Sequence, residues 1–241
     1  MTIGKTTSVD ADEGRAELAS TVIRWGGLAA AVGPLLVLSA NIYGLWETQT
    51  YGSSPEASVE AVTTTASMAF GGIRLLGGML LVFGLVALYA YQIEAAGRLG
   101  LVGFVVSMIG TVLLTAVAWL GAFVDPALAS QAPEFYVAAR SGEIGGTVGT
   151  VLGIGILSPI LIQALGWTIF GIATYRARVF PRWLAVGLIV GSLLLFVPVQ
   201  GSPVVFQLAI ASMGVLLFLG RAERPSPEQD ASQRSSESAG G

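Results

Sequence analysis

The chain of 241 residues is 54% hydrophobic and 11% charged, with 32 glycines, no cysteine, no histidine and a formal net charge of −3. A chain this apolar and this poor in charge excludes an ordinary soluble domain and requires lipid as its solvent. The missing cysteines remove disulfides, thiolate nucleophiles and cysteine metal sites, and the negative balance argues against a nucleic-acid partner.

Residues 1–21 are polar, carry Asp10, Asp12, Glu13 and Glu17, and read as a disordered tail; their acidity also separates them from the basic start of a secretory signal. A bilayer core of about 30 Å takes roughly 20 apolar residues per helix. The first run that meets this is Val22 to Leu45, which holds the polar Asn41 near its far end. A loop near Glu47 to Met68 follows. In it Ser53, Ser54, Pro55 and Glu56 form a helix-start signature, with Ser53 and Glu56 at capping-box spacing, so a short helix to about Ala66 is predicted.

The second span, Ala69 to Tyr91, contains Arg74 about one turn inside its outer end. Its guanidinium reaches the outer headgroups, or pairs with Asp125 or Glu143, or else forms an anion or lipid-headgroup site. The third span, Leu99 to Val124, places Gly103, Ser107, Thr111 and Thr115 four residues apart, a stripe suited to close helix packing. The loop Asp125 to Glu143 carries a second short helix, Ala132 to Arg140, starting near Pro133.

The fourth apolar run, Ile144 to Tyr175, is too long for a simple crossing, so Ile144 to Ile154 is expected to project outward or to lie partly in the interface. It carries another small-residue stripe, Gly145, Gly149 and Gly153, expected to pack within the bundle in preference to forming a dedicated dimer interface. Further along stand Ser158, Pro159 and Gln163. An interior proline frees a carbonyl and bends a helix, and a glutamine in lipid needs a partner. Together with Asn41, Ser158 and Gln163 are the candidate lining of a solute path. The turn Arg178 to Trp183 leads into the fifth span, Trp183 to Val197, with Gly187 and Gly191 as a third packing stripe. Pro198 to Pro203 forms the next loop, Val204 to Gly220 the sixth span, and residues 221–241 a second disordered tail rich in Ser, Glu, Pro and Gly.

The fold expected is therefore all-α, a six-helix transmembrane bundle over residues 22–220. Ten of the 12 cations fall on one side of it and only Arg74 and Arg140 on the other. Lys and Arg are retained on the cytoplasmic side, so both termini are placed there, in a plasma membrane. A shift of 84 residues sets Arg98 on Arg182, Tyr91 on Tyr175, Phe83 on Trp167, Gly103 on Gly187 and Ser107 on Gly191. Spans two and three thus resemble four and five as a parallel repeat, and Arg24, Trp25 and Gly33 echo Arg182, Trp183 and Gly191. Charge sorting at the start of every outward-going helix would also place an arginine and an aromatic residue there.

The spans hold no acidic residue and no histidine, so no catalytic residue, resident cofactor or metal is assigned. Proton relays are disfavoured for the same reason. The acidic N-terminus, glycine-rich spans and Arg178-Val179-Phe180-Pro181-Arg182-Trp183 turn resemble small polytopic membrane proteins of prokaryotes, which implies membrane residence and transfers no site. Two function classes follow: a non-enzymatic interaction or accessory protein that binds lipid or another membrane protein, or an ion-independent carrier or channel for a small neutral solute. Because the chain lacks cysteine, the orientation is directly testable with single-cysteine variants. Ser53→Cys is expected to react with an impermeant thiol reagent on intact cells, and Ser226→Cys only after the membrane is opened; the reverse pattern rejects the orientation.

Overall fold

The computed structural model describes residues 6–196 and 203–220, with side chains from Ser20 onward. Among these residues it is all-helical: α1 (Thr6–Tyr51), α2 (Pro55–Val62), α3 (Thr65–Trp119), a π-helical turn (Leu120–Val124), α4 (Asp125–Gln131), α5 (Pro133–Ser141), α6 (Gly146–Ala177), α7 (Arg182–Leu194) and α8 (Pro203–Phe218). Helix α1 begins at Thr6, inside the segment expected to be a disordered tail, because residues 6–19 continue the register of an apolar helix and propagation costs less than nucleation. The second expected tail and most of the Pro198 to Pro203 loop lie outside the described residues.

Three helical stretches are long and apolar enough to cross a membrane: Ser20–Tyr51, Thr65–Gln131 and Gly146–Ala177. The second is a hairpin. At Gly97 the backbone takes φ 56° and ψ −152°, a conformation that a Cβ would strain, and the chain reverses. The arms 65–96 and 98–119 then pack antiparallel: Tyr89 stacks on Phe104 with ring centroids 4.4 Å apart, and Gly78 lies against Thr115. Shorter apolar helices, α7 and α8, complete the bundle.

Helices adjacent in the chain are neighbours in space. Helix α1 packs on α3, α3 on α6, α6 on α7 and α7 on α8, and α8 closes the ring against α1. Each contact is made where a glycine lets two backbones approach. A Cβ on Gly33 would stand 2.8 Å from the Gly77 carbonyl, one on Gly110 2.5 Å from the Gln163 backbone, one on Gly191 2.6 Å from that of Phe206, and one on Gly214 2.4 Å from that of Ala31. Nothing apolar drives helices together inside lipid, so such contact supplies the dispersion energy that holds them.

The ring encloses a filled core. Leu85, Leu88, Trp167, Phe170, Phe206, Ile210 and Met213 are fully buried, with Trp167 edge-on to both Phe170 and Phe206. The Arg178 to Trp183 turn closes one end: Arg178 adopts φ 54°, and Val179 and Phe180 fold inward, Phe180 beside the Tyr91 ring.

Local capping departs from the sequence reading by small steps. Ser54 rather than Ser53 caps α2, accepting from the Ala57 N–H at 3.2 Å, because Pro55 occupies the first turn. That helix stops at Val62 and not at Ala66, since Thr64 caps α3 by accepting from the Ser67 N–H at 3.1 Å. Helix α5 matches its expected bounds and ends at Gly142, φ 76°. Helix α4 was read as loop; Pro126 sits in its first turn, where a proline is tolerated.

The small-residue stripes separate into two kinds. Gly103 meets the Phe170 backbone and Ser107 the Gly166 backbone, as the spacing predicts; Gly187 is looser, 3.5 Å from the Ala209 side chain. Gly145 and Gly153 meet nothing within 4 Å, and Gly149 meets only Ile144 of its own chain. Packing of that stripe within the bundle is therefore corrected: beyond the Gly110 to Gln163 crossing, α3 turns its outer half onto its own first arm through Thr115 and Ala122. Gly110→Leu is expected to destabilise the detergent-solubilised protein by at least about 2 kcal/mol through overpacking, and Gly153→Leu to leave it within about 0.5 kcal/mol. Equal melting temperatures for the two variants would reject this assignment of contacts.

Candidate functional site

Polar groups inside the bundle gather around Trp167. Its indole N–H donates to the Thr111 hydroxyl at 3.3 Å across the α3 to α6 contact. On the next face the Thr168 and Ser192 hydroxyls share a hydrogen bond of 2.9 Å, which ties α6 to α7; whichever of the two accepts in it gives its own proton to a carbonyl of its own helix, Ala164 for Thr168 or Ile189 for Ser192. These bonds satisfy hydroxyls that lipid would leave unpaired, which is why they sit at helix crossings.

Other buried groups have no partner. The Ser107 hydroxyl, Gln163 Oε1, Gln207 Oε1 and both amide atoms of Gln92 are buried without a hydrogen bond. Gln92 was not singled out from the sequence, although it continues the core stripe Leu81, Leu85 and Leu88 at helical spacing. Gln163 is placed by Gly110, against which its own backbone packs, and Ser107 lies on the same interface opposite Gly166. Ser158 is half-buried one turn away, next to the buried Pro159, through which α6 continues as one helix. Asn41 is half-buried on α1. Among the described residues no hydrogen bond joins Asn41, Ser158 and Gln163, and Trp167, Phe170 and Phe206 fill the core beside them.

Arg74 projects from α3 onto α1, where its Nη2 donates to the Ala40 carbonyl at 3.4 Å. It does not pair with Asp125, which binds Arg140 at 2.7 Å instead. That exposed pair belongs to a small cap at one end of the bundle in which α2, α4 and α5 pack on one another around the buried Tyr136, with Arg140 also 5.4 Å over the Tyr136 ring. An exposed ion pair of this kind contributes about 0–1 kcal/mol, so the cap is held mainly by Tyr136, Ala61 and Ala129.

The first half of α6 stands clear of everything else. Val148, Val151, Ile154, Ile156 and Leu157 are all exposed, Val151 by 62% and Ile154 by 61%. A cleft of about 390 Å³ beside it runs between Ala139 and Gly142 at the end of α5 and Thr150 and Gly153 of α6. The expectation that Ile144 to Ile154 projects from the bundle agrees with this arrangement.

No protein-family model matches the chain, and no curated protein or solved structure matches it significantly.

Two substitutions separate paired from unpaired interior polarity. Thr111→Val strands the buried indole N–H of Trp167 and is expected to cost about 1–3 kcal/mol in unfolding from detergent. Gln163→Leu removes an unpaired buried carbonyl and is expected to be neutral or stabilising by about 1 kcal/mol. A large loss in Gln163→Leu would mean that the amide holds a partner in the membrane.

Proposed function

We propose that this is a six-span protein of the plasma membrane with both termini in the cytoplasm, acting without catalysis as an interaction or accessory protein. The hairpin at Gly97 supports the count, since it divides one apolar stretch of 67 residues into two antiparallel arms of crossing length. A parallel repeat is part of this reading. The equivalent positions Gly33, Ser107 and Gly191 each face the next helix in the chain, meeting Gly77, Gly166 and Phe206. This is in keeping with spans two and three repeating as spans four and five, with the first span echoing the outward-going member.

The observation that carries the functional reading is the uncovered half of α6. Every other long helix buries a small-residue stripe against a neighbour, whereas residues 146–157 present glycines and large apolar side chains that no other helix covers, only Gly149 being met, by Ile144 just before the helix. Within or beside a bilayer, such a segment offers the close backbone approach that helix association uses. Its partner is then another membrane protein. The unpaired Ser107 and Gln163 groups are what a carrier for a neutral solute would use, but the aromatic filling beside them favours the first reading.

The test is purification of the tagged full chain from its native membrane in mild detergent, with mass spectrometry of all retained proteins and small molecules. A stoichiometric membrane protein is expected, reduced about tenfold by the double variant Val151→Asn and Ile154→Asn at unchanged melting temperature. Recovery of the chain alone with a bound small solute would sink the accessory reading and support the carrier.

A further inference from the structure

The groove between α1 and α3 around Arg74 has a composition that helix packing does not explain. Ala40, Gly44 and Glu47 lie four and three residues apart, so they stack along one face of α1. The guanidinium of Arg74 lies over that face: Nη2 donates to the Ala40 carbonyl at 3.4 Å, and a Cβ on Gly44 would stand only 3.8 Å from it. A methyl at Gly44 would sit in ordinary van der Waals contact with the guanidinium. One turn outward, Tyr43 stacks on Phe70 with centroids 4.2 Å apart and planes at 6°, and Trp46, 53% exposed, leans on Tyr43 at 5.5 Å.

Glu47 completes the groove. Its Oε1 is buried and has no hydrogen-bond partner, and its carboxylate is near enough to act on Arg74 electrostatically. Among the described residues the two nonetheless form no direct ion pair, and Arg74 makes one long hydrogen bond for a group with five N–H donors. The exposed guanidinium of Arg74, with unused donors, and the half-buried carboxylate of Glu47, with an unused acceptor, therefore lie along the same face of α1, next to the turn that carries Tyr43 and Trp46.

A simple anion would meet Arg74 but be repelled by Glu47, and a metal cation the reverse. A ligand carrying both charges a short distance apart satisfies both. The planar guanidinium fork matches phosphate oxygens, while a carboxylate beside aromatic faces holds an ammonium group. We propose that this groove binds a phosphate bearing an ammonium group, as in phosphoethanolamine, with the phosphate on Arg74 and the ammonium on Glu47 against Tyr43 and Trp46. The chemistry is that of an outer-leaflet lipid headgroup or of the free phosphoester. The lipid source rests on the membrane placement proposed above.

The test uses the full chain in nanodiscs of equal phosphatidylethanolamine and phosphatidylglycerol, extracted into mild detergent, with retained lipid counted by native mass spectrometry. Retention of phosphatidylethanolamine over phosphatidylglycerol by about tenfold is expected. Arg74→Ala should lose both lipids, and Glu47→Gln should reverse the preference toward phosphatidylglycerol, since the repulsion of a plain anion is gone. Added phosphoethanolamine that displaces the lipid identifies the free phosphoester as a ligand, and failure to displace identifies the lipid; both support the chemistry. Equal retention of the two lipids, or a Glu47→Gln protein that behaves as the parent, overturns it. If Arg74→Ala does not fold, Glu47→Gln still decides the question. Labelling of Ser53→Cys reports separately on whether this face lies outside, so a failed lipid assay with outside labelling rejects the groove and leaves the topology standing.

Discussion

Backbone approach at glycine is the constraint on which this bundle depends. In water, helices associate because apolar faces leave solvent; in lipid that difference vanishes, and stability comes from how closely two surfaces touch. Gly33 on Gly77, Gly110 on Gln163, Gly191 on Phe206 and Gly214 on Ala31 supply such contacts at four of the crossings. The consequence is that topology is written into small side chains. Where a glycine faces a neighbour's backbone the helices are locked, and where it faces nothing the helix is free. The core inside the ring can then be filled by a few large groups, Trp167, Phe170, Phe206 and Met213, without any of them having to specify which helix lies beside which.

Much of the arrangement was legible in the sequence because two signals agreed. Apolar run length located the helices, and small residues four apart located the contact face at Gly103, Ser107 and Gly191. The same rule failed at Gly145, Gly149 and Gly153 for a physical reason. A stripe says that a partner would fit, and it does not say that one reaches. Helix α7 meets α6 at Ser192 and Thr168 and ends at Leu194, and the outer half of α3 turns to its own first arm, so no partner within the chain arrives. Short-range capping was read to within one residue at Ser54, whereas α4 was missed because Asp125-Pro126 reads equally as a turn or as a helix start.

The candidate polar residues were harder to read, since burial alone does not reveal what a side chain faces. Gln163 stands out as a polar group in an apolar run, but its backbone contact with Gly110 depends on a residue 53 positions earlier. Gln92, one residue past the predicted end of the second span, is fully enclosed. The hydrogen bond from Trp167 to Thr111 joins residues of two helices whose register no local pattern sets. These are long-range facts, fixed by the order in which helices meet around the ring.

The α1 to α3 interface shows how the same constraint relaxes into chemistry. Going outward, the contact begins with glycine on backbone at Gly33 and Gly77, where no side chain fits. It continues at the buried Ala40, whose carbonyl takes the Arg74 N–H, then at Gly44, where the open space is filled by a guanidinium rather than by another helix. It ends in the flat stack of Tyr43 on Phe70, where large rings hold the backbones apart. A charged group is expensive at the centre of a bilayer and far less so toward its surface. Arg74 is thus tolerated on the exposed flank of the α1 to α3 contact, and the same placement leaves most of its donors without a protein partner.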